Sequence, residues 1–127
     1  MTINFNLNEL KQFNGSERSF KHVLNRKIIY TEGIQYLLEK ARCYWLLDDI
    51  ALVVFPRLLQ HHKDCFYSIQ FEVHADNSAV ITVDDGNGNI HLQHKIKCTD
   101  FPVTENPVKF FLCEAGEHYC LMLPSEY

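Results

Sequence analysis

The sequence predicts an α+β domain, with helices in the first half packed on one face of a four- to five-stranded antiparallel meander in the second half. Three observations carry this. Apolar residues recur at helical spacing up to about residue 55 and at alternate positions after residue 65. Helices and strands follow one another in blocks, not in turn, which disfavours βαβ units. Turn-forming Gly, Asn and Asp separate the alternating segments.

Taken in order, residues 6–13 (NLNELKQF) suit a short helix capped by Asn6 or Asn8. Residues 14–26 read as an exposed loop, and KIIY (27–30) as a short strand or extended lead-in. Thr31 is placed to cap a helix, with Glu32 in its first turn and Ile34, Leu37, Leu38 and Ala41 on one face. From Cys43 to Phe55 the helix is apolar almost all round, the mark of a buried helix. Pro56 is expected to end or kink it, and PRLLQHHK (56–63) to restart as a short helical piece.

In 65–74, Tyr67, Ile69, Phe71 and Val73 share one face. Segments 79–83, 90–98, 108–113 and 118–123 alternate in the same way. HADNSA (74–79) and EAGE (114–117) read as turns. VDDGNGNI (83–90) resembles a calcium loop, but an EF-hand register puts Val83 at the first ligand position and His94 at the last. Its D-G and N-G pairs instead predict a hairpin turn.

The 127 residues, 46% of them hydrophobic, suffice for one core, so residues 1–127 are read as a single domain. A formal charge of −4 disfavours general nucleic-acid binding. Five cysteines without a CxxC spacing, no basic and apolar start, and no long apolar run predict a cytoplasmic protein with reduced thiols and no membrane span. Neither a metal site nor a cofactor is expected. His61 and Cys65 form one doubtful ligand pair where zinc sites show two, and no Gly-rich loop opens a helix. The cysteines in strand patterns read as small hydrophobes, not nucleophiles.

Two features remain. Asp48 and Asp49 stand in the most apolar helix, where at least one is expected to be shielded and paired. Arg18, Lys21, His22, Arg26 and Tyr30 are the candidate partners, and an anchor is favoured over a catalytic carboxylate. The second is a basic stretch, Arg18, Lys21, His22, Arg26 and Lys27, interleaved with Phe20 and Tyr30, which has the makings of a single-strand contact.

YTEGIQYLLEKARCYWLLDDIA (30–51) resembles the hallmark of a family of small bacterial proteins known only as a domain of unknown function. FNGSERSFKH (13–22), TDFP (99–102) and the ending LPSEY fit the same family. The segment ARC (41–43) departs from its usual run of small residues, which puts close helix packing there in question. The resemblance implies no activity. It singles out Asp48 over Asp49 and adds His22 and Tyr30, with Trp45 in the hallmark itself. The function expected first is a non-enzymatic binding or accessory module working through protein–protein contacts, with a homodimer possible. A nucleic-acid-associated protein using loop 17–30 and a small enzyme around Asp48 are the alternatives.

Overall fold

The computed structural model describes residues 19–61, 63–103 and 106–127. The helix expected over 6–13 lies outside them, as does Arg18. The fold is α+β, but the sheet is larger than the alternation predicts and begins before the helices. Seven strands form it: β1 (Ser19–Lys21), β2 (Ile28–Thr31), β3 (Phe66–Val73), β4 (Ala79–Asp84), β5 (Ile90–Ile96), β6 (Val108–Ala115) and β7 (His118–Met122). Their order across the sheet is β1-β2-β7-β6-β3-β4-β5. The β3-to-β7 part is antiparallel throughout, as expected. However, β2 runs parallel to β7, pairing Ile28 with Tyr119 and Tyr30 with Leu121, so the sheet is mixed. A parallel pair needs a long crossover, and here it spans the helices and the rest of the sheet.

The helices sit mid-chain. Helix α1 (Glu32–Lys40) is capped by Thr31, whose hydroxyl oxygen accepts from the Ile34 N–H at 3.4 Å. It ends at Ala41, and Arg42 turns the chain with φ 52°. That conformation is costly for a residue with a Cβ. Ala41 and Cys43 are nevertheless fully buried, so packing at ARC is tight.

Helix α2 (Tyr44–Asp49) then widens into a π-helical turn, Ile50–Val54, and continues as α3 (Phe55–His61). Pro56 therefore does not end the helix. The Phe55 N–H bonds Ile50 O, five residues back. In that register the next donor would be residue 56, and proline has no N–H. The Ala51 carbonyl it would have served accepts instead from the Asn25 side-chain amide at 2.8 Å.

One core joins the layers. Ile34, Leu37, Leu46, Val54 and Phe55 from the helices meet Tyr67, Ile69, Phe71, Phe110 and Leu112 from the sheet. Trp45 meets Phe71 edge-on at 5.9 Å, and Phe55 meets Tyr119 at 4.9 Å. Tyr67 combines full burial with a satisfied hydroxyl, which accepts from the Asp64 N–H at 2.8 Å.

VDDGNGNI is the β4–β5 connection. Asp84 accepts from Gly86 N–H, and Asp85 accepts from Asn87 and Asn89, so the carboxylates serve their own turn. Gly86 and Gly88 adopt φ 88° and 91°. The Asn89 side chain and the Asn87 N–H hold Asp85 below the usual carboxylate range.

Candidate functional site

The site grows out of the β1–β2 connection, residues 22–27. His22 closes it through its N–H to Ile28 O at 3.0 Å. The imidazole then folds back. Its Nδ1 lies 2.9 Å from the Asn25 N–H and 3.2 Å from the Leu24 N–H. With backbone donors pointing at Nδ1, that nitrogen is the acceptor and the ring proton belongs on Nε2. Nε2 donates to Asp48 Oδ1 at 2.8 Å. The Asn25 side chain accepts from Lys27 N–H and donates to Ala51 O. The loop is thus fastened to the helix at residues 48 and 51, three apart and on one face.

Of the two acids Asp48 is the open one: its side chain is 58% exposed, whereas that of His22 is 3% exposed. The histidine is the buried member of the pair. Asp49 has its own histidine, His94 of β5, at 3.6 Å. His94 does point toward the helices, as the alternation indicates.

A cleft of about 430 Å³ opens beside the loop, lined by His22, Val23, Leu24, Tyr30, Tyr44 and Asp48, with Leu47 at its base. Its rim is apolar and open, since Val23 and Leu24 are 86% and 72% exposed. Tyr30 comes from β2 and stacks on Phe20 at 5.5 Å. Burial raises its pKa first, and the neighbouring Tyr44 phenol and Asp48 carboxylate raise it further. The Tyr44 hydroxyl accepts from Gln35 at 2.8 Å.

The predicted residues therefore separate into groups. Asp48, His22 and Tyr30 come together in the cleft. Trp45 does not: it packs on Phe71 in the core. Lys21, Arg26 and Lys27 are exposed but line no part of the cleft. Strand alternation points Lys21 to the opposite face from the Phe20–Tyr30 pair, so that cation does not share the aromatic stripe. His61 and Cys65 belong to no metal-ligand group among the described residues. Two contributors were missed, Asn25 and Tyr44. Pro56 carried a signal for the first, because a proline inside a helix leaves a carbonyl needing an outside donor.

A second constellation ties the ends of the fold together. Glu126, in the 3-10 turn Pro124–Glu126, accepts from the Thr31 hydroxyl at 2.6 Å, Gly33 N–H at 3.2 Å and Leu123 N–H at 3.0 Å. Its carboxylate thus sits at the start of α1, where negative charge is favoured. A Cβ on Gly33 would fall 2.5 Å from Glu126 Oε1 and 2.6 Å from Leu123 Cδ1. The YTEG and LPSEY segments are two halves of one contact.

An α+β fold of this order, with a histidine-locked loop beside an open cleft, defines a small mixed-sheet protein. The chain belongs to the family of unknown function DUF6876, whose model matches residues 4–127. It is similar in fold to a protein of unknown function from Enterococcus faecalis, at 15% identity and a TM-score of 0.59, over 82% of this chain and 92% of the other. No curated protein matches the chain.

Proposed function

We propose that this protein is a non-enzymatic binding module that recognises a partner protein through the cleft beside the 22–27 loop. The observation that carries the reading is the double engagement of His22. A histidine that works as a base keeps one nitrogen for its orienting carboxylate and the other for the reacting group. Here Nδ1 is filled by the Leu24 and Asn25 N–H groups, and the ring is buried. The pair His22–Asp48 shapes a loop and leaves no nitrogen for proton transfer.

Recognition is supported by the cleft's surroundings. Val23, Leu24 and Tyr44 are exposed apolar or aromatic side chains that line it. Such groupings are favoured at protein contacts. No helix of the described residues is long and apolar enough to cross a membrane. All five cysteines are free, as a reducing cytoplasm would keep them.

The test is site-specific photocrosslinking in the cells that make the protein. A crosslinker at Leu24 should give a protein adduct of defined mass that a crosslinker at Lys109, on the other side of the sheet, does not. Tyr44→Ala should abolish the adduct while leaving the fold intact. An adduct indifferent to Tyr44 and to crosslinker position would sink the reading.

A further inference from the structure

We infer that the cleft takes a cationic side-chain head, the guanidinium of an arginine or the ammonium of a lysine, with its aliphatic stem along Val23, Leu24 and Leu47. The inference rests on the binding-module reading above and adds the chemistry of what is bound.

Two polar groups of the cleft are incompletely used. A carboxylate offers about four acceptor sites, yet Asp48 uses Oδ1 for His22, and Oδ2 has no hydrogen-bond partner among the described residues. The Tyr30 hydroxyl, half-buried in the same cleft, has none either. An uncharged apolar ligand would cover both and leave them unsatisfied, which is unfavourable. An anion would be repelled by Asp48. A cation satisfies the carboxylate, and the phenol oxygen can accept a further N–H.

The walls fit the same ligand. Tyr30 and Tyr44 present ring systems that attract a cation through their quadrupoles. Val23, Leu24 and Leu47 supply hydrocarbon for the stem that arginine and lysine normally lay along apolar surface. Among the described residues no lysine or arginine lines the cleft, so none of them neutralises the carboxylate. The net charge of −4 favours approach of a cation.

The same head-group chemistry is found on a protein side chain and on a free polyamine, and the experiment separates them. The full chain is titrated by NMR with N-acetyl-arginine methylamide, with its lysine counterpart, with the neutral N-acetyl-norleucine methylamide, and with spermidine. The ring signals of Tyr30 and Tyr44 are followed. The cationic amino-acid probes should move both rings, and norleucine should not. Asp48→Asn should weaken the arginine probe about three- to fivefold, the range of a partly exposed ion pair. Tyr30→Phe, which leaves the His22–Asp48 contact in place, should weaken it less. Spermidine binding as well as the amino-acid probes would keep the cation and assign it to a free amine.

Norleucine binding as tightly as arginine, or an Asp48→Asn variant that is folded and unchanged, would overturn the inference while leaving a binding cleft. Rings that no probe moves would overturn it too. The Leu24 crosslink then decides the binding-module reading separately.

Discussion

Replacing Glu126 with alanine should destabilise the whole domain, although the residue stands next to the last position of the chain. Its carboxylate accepts from the Thr31 hydroxyl, Gly33 N–H and Leu123 N–H. Each such bond contributes about 1 kcal/mol net when the site is partly exposed. Negative charge at the start of α1 adds about 0.5 kcal/mol. The loss is then about 3.5 kcal/mol, which for a chain of this size lowers Tm by about 10–15 °C. Calorimetry at neutral pH measures it. Thr31→Val added to Glu126→Ala should cost only the α1 cap, about 1 kcal/mol, because the bond the two residues share is already gone. A fall in Tm below about 2 °C would mean that the C-terminal turn is not coupled to α1.

Gly33→Ala would be favourable by about 1 kcal/mol in an ordinary helix, but here it should destabilise, because the new methyl meets Glu126 and Leu123. A melt showing a gain would contradict the contact. His22→Ala should cost about 1–3 kcal/mol, since it strips the Leu24 and Asn25 N–H groups of their acceptor. Faster amide exchange confined to 22–27 would accompany it, and unchanged exchange there would count against the loop's construction. Burial pushes the Cys43 thiol up to about 12 and Cys120 up to about 11, from an ordinary 9.0. The unfolded chain ionises these thiols first, so their contribution is intact below pH 9. It is lost as pH rises toward about 11 and then about 12. Urea midpoints that stay level from pH 9 to about 11 would speak against it.

The second half of the fold was legible because period-two alternation and turn residues agree there. Tyr67, Ile69, Phe71 and Val73 all face the core as the pattern requires. The first half was legible only in part. Ser19–Lys21 is a three-residue edge strand, too short to show a period. The parallel pairing of β2 with β7 joins segments about 90 residues apart, and no local signal encodes such a partner. Pro56 argued for a helix end or kink; the chain instead continues through a π-helical turn into a further helix, with Asn25 as outside donor to the Ala51 carbonyl. The Asp48 partner was among the residues proposed, but which member would be buried depended on how the hairpin docks. That is a tertiary fact. The family segments YTEG and LPSEY stood in the sequence as unrelated signatures, and only the fold shows that Glu126 joins them.

The claim that His22 is a structural residue beside a binding cleft, and not a base, turns on one proton. A long-range proton–nitrogen NMR spectrum of the imidazole at neutral pH reports which nitrogen carries it. The geometry requires the Nε2–H form, with Nδ1 bare and held by the Leu24 and Asn25 N–H groups. A ring protonated on Nδ1, with Nε2 unprotonated toward Asp48 and the cleft, would contradict it and return the enzyme reading to first place.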